Sequence, residues 1–447
     1  MFTRRGFVRV TAASVGSLAL RPFGLLPAMA QGASDYRALV CIFLFGGNDS
    51  NNTIVPMDDA SFKAYSSIRG GLALTASELT PTVYSAANAP YAFHGKLPEL
   101  AGMFSTKELA VVANVGSLVQ PLTRAQYQAQ QAPVPLNLFS HADQQLQWQT
   151  SVAQGNSPTG WAGRVADYVA SQKINSSTFP AFLSVAGNSM LGTGATTQPV
   201  AIAPGGSLQL SGFNTSAASQ ARLSALNSLL KLDSGVTLAQ AANNTLANSI
   251  GDANALTQAL AKGTKLQTQF PATSIAQQLQ QVAQIVQVAT YLGMSRQVFF
   301  CSLGGFDTHA GELEAHNTLY PQLSQAMAAF YAATQELGVA QNVTAFTESD
   351  FSRTFQPTTG DGSDHAWGSH HLVMGGAVRG GQIYGAFPSF QLGGPNDTDT
   401  RGRWIPTTSI DQYGASLASW FGIPDASLAS VFPNFPNFAS KKLALFS

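Results

Sequence analysis

The sequence predicts an α/β protein: a mostly parallel central sheet with helices on both faces and an inserted polar cap region. Three observations predict it. Short continuous apolar runs end in glycine or polar residues, stretches of helical period lie between them, and acidic residues or histidines follow the runs directly. The first run, 38–45 (ALVCIFLF), closes on Gly46-Gly47, as a strand buried on both faces should. Similar runs follow at 109–115, 298–303 and 343–346. Between them, Ile275, Leu279, Val282, Ile285, Val286, Ala289 and Leu292 step by three and four residues, which predicts a helix over 274–296. Leu323, Met327, Phe330, Tyr331, Thr334 and Leu337 keep the same step up to Gly338, and a further helix is expected over 410–421 behind Ser409. The section 190–265 is rich in Ala, Ser, Thr, Asn, Gln and Gly with few large apolar residues, and reads as a cap or lid without a core of its own.

The composition narrows the class. Lys+Arg and Asp+Glu both number 23 among 447 residues, and only 10% of residues are charged, against about a quarter in ordinary proteins. A chain without surplus positive charge lacks the broad attraction that nucleic acids and membrane surfaces exert, so neither is an expected partner. The two cysteines, Cys41 and Cys301, sit inside apolar runs and read as packing residues. At the N-terminus, Arg4-Arg5 precedes an uncharged stretch over 10–20 and then Ala28-Met29-Ala30. That order predicts a twin-arginine export signal over 1–30, one mature domain over 31–447, and a periplasmic or secreted location. No later run reaches the length of a spanning helix.

In an open parallel sheet, ligands bind beyond the carboxyl ends of the strands, so the residues after each run decide the chemistry. Here they are Asp49 after the first run, Asp307 and His309 after the third, and Asp350 and Arg353 after the fourth, followed by Asp364, His365 and His370 in a glycine-rich loop. Six of the seven histidines fall near 141, 309–316 and 365–371. Carboxylates and imidazoles gathered at one edge suit a divalent metal, Zn²⁺, Mn²⁺, Mg²⁺ or Ca²⁺, able to polarise a phosphoryl, sulfuryl or acyl oxygen. The alternative is that Asp49, Asp307 and Asp364 cap turns while the histidines bond to carbonyls.

The ordered motifs ALVCIFLFGGNDSNNTIVP, LFSHADQQLQWQT, FFCSLGGFDTHAGE, TESDFSRTFQPTTGDGSDHAWGSHHLVMGGAVRGG and GRWIPTTSIDQYGASLASWFG, behind a twin-arginine signal, resemble a bacterial family of exported proteins catalogued as a domain of unknown function. That family is similar in fold to the alkaline phosphatase and sulfatase superfamily. The resemblance implies two metal clusters and a Ser or Thr nucleophile. On it, Asp49 stands for the first-strand ligand, Asp307 and His309 for one cluster, and Asp350 with His365 or His370 for the other. Phe351 departs from the pattern, where many relatives have histidine, which weakens one cluster.

Ser140 precedes an expected helix, where amide dipoles favour an oxyanion, and is the first nucleophile candidate; Thr123 and Thr53 are the others. Ser140 suits an N-cap equally well. Arg353 and Arg379 are candidates for gripping a tetrahedral oxyanion. The expectation is a metal-dependent hydrolase of phosphate or sulfate esters, free or on a glycan. Its rival is a non-catalytic relative that binds an envelope polysaccharide or protein.

Overall fold

Strand β1, Arg37–Phe45, is buried along all but its two end residues, which requires strands on either side and helices above and below. The computed structural model describes residues 35–205, 216–232, 235–439 and 442–447; the export signal expected over 1–30 lies outside them. The remaining strands of the main sheet are β2 (Leu109–Gly116), β3 (Phe182–Ser184), β4 (Val200–Ala201), β5 (Arg296–Gly304), β6 (Val343–Ser349), β7 (Ser369–Met374), β8 (Ile383–Gly385) and β9 (Thr408–Ser409). They lie in the order β8-β2-β7-β6-β1-β5-β3-β4, with β9 also on β2. The sheet is mostly parallel, and each of the four apolar runs forms a strand.

The register places the site. β1 runs parallel to β5 and β6, pairing Phe45 with Gly304 and Leu44 with Ser349, so the segments after all three strands leave from one edge. β7 is antiparallel to β2 and β6, so the loop that leads into it, carrying Asp364 and His365, arrives at that same edge. The turn after β7, which carries Arg379, lies at the opposite edge, where Gly381 bonds to Leu109 at the start of β2. Arg379 is therefore no part of the site.

Among the described residues, the helices of ten residues or more are α1 (Asp59–Arg69), α2 (His141–Thr150), α3 (Trp161–Ser171), α4 (Ala217–Leu230), α5 (Thr237–Leu260), α6 (Ser274–Gln287), α7 (Glu312–Glu336) and α8 (Ile410–Phe421). Two depart from expectation. α6 stops at Gln287; the chain turns through Gly293 at φ +68° and Arg296 already opens β5. α7 begins at Glu312, well before the apolar step that marks its middle, because its first turns are polar. α8 matches, with Ser409 and Gln412 forming a capping box and Gly422 at φ +118° closing it. Within the expected cap, α4 and α5 are mostly exposed and bury only Ser219 and Leu230, and Ile250, Leu256 and Ala259, respectively. Trp148, Trp161, Trp367 and Trp404 are fully buried and serve packing, and Cys41 and Cys301 are buried free thiols.

Candidate metal centre

Two glycines bring the strand ends together. Gly46 and Gly47 have φ of +111° and +81°, and a Cβ on either would stand 2.4 Å from the Asp307 nitrogen or the Phe351 ring, respectively. Only glycine allows both the conformation and the approach. The end of β1 thus lies against the Asp307 loop, and the Gly46 N–H donates to Asp350 Oδ1 at 3.2 Å.

Four donor atoms then meet. His309 Nε2 lies 3.0 Å from Asp307 Oδ1 and 2.9 Å from His365 Nε2. His141 Nε2 lies 3.1 Å from His365 Nε2, and both these nitrogens lie 3.4 Å from Asp307 Oδ1. Donors about 2.0–2.1 Å from one ion in tetrahedral array stand roughly 3.3 Å apart, and the five separations given lie near that value. The residues form two candidate groups that share His365, namely His141, Asp307 and His365, and His309, Asp364 and His365, each with its donor atoms within 4.8 Å of one another. Asp307 and His309 are about half exposed, with side-chain exposures of 50% and 49%, which leaves the cluster an approach from solvent.

The second ring nitrogens explain the orientation. His365 Nδ1 lies 2.8 Å from the Phe139 carbonyl. A carbonyl only accepts, so Nδ1 carries the hydrogen and Nε2 of the neutral ring presents a lone pair. His141 Nδ1 lies 2.7 Å from Asp350 Oδ2, which also accepts from Gln145 Nε2 at 2.7 Å. A carboxylate or carbonyl behind the imidazole is the usual support of a metal-bound histidine. Phe139 holds its carbonyl in place from φ +71°, an uncommon conformation for a bulky residue. Its N–H donates to Gln144 Oε1 at 2.6 Å, and the Arg403 guanidinium lies over its ring at 4.6 Å.

With their hydrogens on Nδ1, His141 and His365 turn lone pairs toward each other and toward a carboxylate oxygen. That arrangement repels itself unless a cation or a proton sits among the donors. The bond to Asp350 lifts His141 above the ordinary histidine pKa against the pull of burial. His365 is lowered, by burial first and by the neighbouring His141 and Arg353 after it. Burial alone would raise Asp307, but Arg353, His141 and His309 outweigh it and keep its carboxylate ionised to lower pH.

The remaining expected residues take these places. Asp350 orients His141. Asp364 keeps a place among the candidate donors: its Oδ1 lies 4.0 Å from His309 Nδ1 in the group with His309 and His365, while its Oδ2 pairs with Arg401 and Arg403 at 3.0 Å each. Arg353 is fully buried behind Asp307, its Nη2 3.0 Å from Oδ1, and so braces that carboxylate. Asp49 is not brought to the cluster: it caps the turn Ser50–Thr53, accepts from Asn51 Nδ2 at 2.7 Å and pairs with the Arg69 guanidinium. His370 is also elsewhere, buried on β7 with Nδ1 accepting from the Asn114 N–H at 2.9 Å; burial pushes it down to about 3.

The three hydroxyls are engaged as well. Ser140 caps α2, its Oγ donating to Asp143 Oδ2 at 2.6 Å. Thr123 forms a capping box with Gln126, and Thr53 Oγ1 lies 3.0 Å from both Asn48 Nδ2 and Tyr320 Oη. Among the described residues, the two candidate donor groups share His365, so they are not the two separate clusters the resemblance implies. The donor that sequence reasoning missed is His141. Its signal in the sequence was a place in the first turn of a helix behind a serine cap.

By structure, the chain resembles Ps i-CgsB in complex with k-i-k-neocarrahexaose (9% identity, 89% of this chain and 76% of that one, TM-score 0.33). It also resembles the lipoteichoic acid synthase LtaP from Listeria monocytogenes (7% identity, 88% and 74%, TM-score 0.32). A third is the phosphonate monoester hydrolase of Agrobacterium radiobacter (10% identity, 87% and 74%, TM-score 0.29). No curated protein matches by sequence. Among the described residues no helix is long and apolar enough to cross a membrane. Residues 36–398 match the family model described as Protein of unknown function (DUF1501), which spans most of the chain, and the protein belongs to that family.

Proposed function

We propose that this protein is an exported metal-dependent hydrolase of phosphate or sulfate esters, a single domain behind a removable twin-arginine leader, with one metal position formed by His141, Asp307, His309 and His365. The observation that carries the reading is that Asp307 Oδ1 and His365 Nε2 lie 3.4 Å apart and each stands 2.9–3.4 Å from both His141 Nε2 and His309 Nε2, two of the imidazoles being backed by acceptors. Three nitrogens and one oxygen suit zinc or a similar first-row ion, whereas Ca²⁺ and Mg²⁺ take oxygen ligands. Bound there, such an ion would supply a Lewis acid and a water of lowered pKa. Asp350 and the Phe139 carbonyl fix the tautomers, and Arg353 keeps Asp307 ionised. Arg401 and Arg403, 34% and 18% exposed, add positive charge beside the opening where an anionic ester would dock. Because Ser140, Thr53 and Thr123 are bonded elsewhere, the reading needs no covalent serine or threonine intermediate.

The test is turnover of p-nitrophenyl phosphate, bis-p-nitrophenyl phosphate and p-nitrophenyl sulfate by the zinc-loaded and the chelator-treated protein. Hydrolysis of at least one ester, lost on chelation and restored by zinc, is expected. Equal rates with and without metal overturn the reading. A second reading, a metal-holding but non-catalytic binder of an envelope glycan or protein, rests on one observation. The Phe351 ring lies 4.8 Å from both His141 and His365, where a second set of donors would otherwise stand. It predicts stoichiometric metal with no turnover of any ester.

A further inference from the structure

We infer that Glu312 is the positioning residue of the metal centre, one buried carboxylate that fixes both donor-bearing loops; this rests on the metal reading above. Glu312 opens α7 and is fully buried. Its Oε2 accepts from Thr308 Oγ1 at 3.1 Å and from Ser363 Oγ, and its Oε1 pairs with Arg69 Nη2 at 3.1 Å. Thr308 lies between the donors Asp307 and His309, and Ser363 lies two residues before the donor His365. Two loops that belong to no strand are thereby tied to a single group.

The backbone agrees with this role. The Ser363 N–H donates to the Thr308 carbonyl at 3.1 Å, and the Glu312 N–H donates to the Asp361 carbonyl at 2.9 Å. Arg69 completes the brace, pairing with Asp49 at the end of β1 and donating to the Thr354 and Phe355 carbonyls at 3.3 and 3.4 Å. A buried ion pair is weak evidence of added stability, since desolvation offsets its attraction. What this one supplies is position: metal sites lose affinity when donors drift by about 1 Å from the productive geometry.

The test is Zn²⁺ affinity by chelator competition, together with the visible spectrum of the Co²⁺-loaded full-length protein, for wild type, Glu312→Gln, Ser363→Ala and Glu314→Gln. Glu314 is exposed on the same turn and touches none of these groups. Glu312→Gln is expected to weaken Zn²⁺ binding about 10–100-fold and to change the Co²⁺ spectrum, Ser363→Ala to shift both less in the same direction, and Glu314→Gln to change neither. Wild-type affinity and spectrum in Glu312→Gln, with only a lower melting temperature, overturn the positioning role and leave the metal reading intact. If Glu312→Gln does not fold, Ser363→Ala decides by the same criterion. A wild-type protein that binds neither ion overturns the metal reading itself, and the inference with it.

Discussion

His141, His309 and His365 lie where the start of α2 and two loops meet at the sheet edge, partly open to solvent, with side-chain exposures of 29%, 49% and 22%. His94, His316, His370 and His371 are buried in the body of the protein. Burial alone or as the leading cause pushes these four down to about 3, 4, 3 and 3, so they stay neutral at any ordinary pH. His316 stacks on Tyr320 at 4.6 Å and His371 packs edge-on against Trp148 at 4.6 Å. The difference teaches that a candidate ligand histidine is distinguished less by its neighbours in sequence than by what its two nitrogens face. In the open group, His141 and His365 each have one nitrogen held by an acceptor, and in all three Nε2 meets other donors. In the closed group the engaged nitrogens face ordinary protein partners: His94 Nδ1 accepts from the Lys96 N–H at 3.1 Å, His370 Nδ1 from the Asn114 N–H at 2.9 Å, and His371 Nδ1 lies 3.4 Å from Thr347 Oγ1.

The largest expected effect contrasts one residue from each group. His141→Ala should lower zinc affinity by at least about 100-fold, as loss of one of four donors, with modest change in folding stability. His371→Ala should leave affinity unchanged and cost about 2–4 kcal/mol in urea denaturation through the cavity it opens. Equal metal affinities in the two variants would erase the distinction.

The contrast extends to two acids near the end of β6. Burial pushes Glu348 up to about 8, whereas Asp350 is held by three donors beside the site. Between its unfolded value near 4.5 and about 8, the folded state keeps a proton on Glu348 that the unfolded state releases. Stability from this group is therefore full below pH about 4.5 and is lost as pH rises through about 8. Glu348→Gln removes that loss, and its advantage in chemical denaturation should grow to the order of a few kcal/mol by pH 9. A gap independent of pH between 5 and 9 would contradict it. Asp350→Asn should instead act on the metal, lowering affinity about 10–100-fold, with His141 left free to turn; unchanged affinity would show that Asp350 supports nothing. Smallest is Ser140→Ala, which should cost about 1 kcal/mol in thermal stability as a lost cap and leave turnover measurable. Abolished turnover with normal metal content would restore Ser140 as a nucleophile.

Much of this was legible from local pattern. Continuous apolar runs made the strands, and the rule that function sits past their ends singled out Asp307, His309 and His365. Three features were not legible, each because a partner distant in sequence decides it. Asp49 is diverted by Arg69, which nothing in the local sequence marks as a fully buried cation. His370 follows His365 closely, but it already belongs to β7 and is carried inside with the strand. His141 stands alone among polar residues, and only the fold brings its helix start against the other two loops. The length of α6 was overread because the apolar step continues through the turn as core contacts of Ala289 and Leu292.

The most direct test of the account is metal content, measured by mass spectrometry on full-length protein purified without chelators. The account predicts about one equivalent of a zinc-like ion per chain in wild type and in His370→Ala, and essentially none in His365→Ala. Wild type devoid of such an ion after zinc exposure, or His365→Ala retaining the same equivalent as wild type, would contradict it.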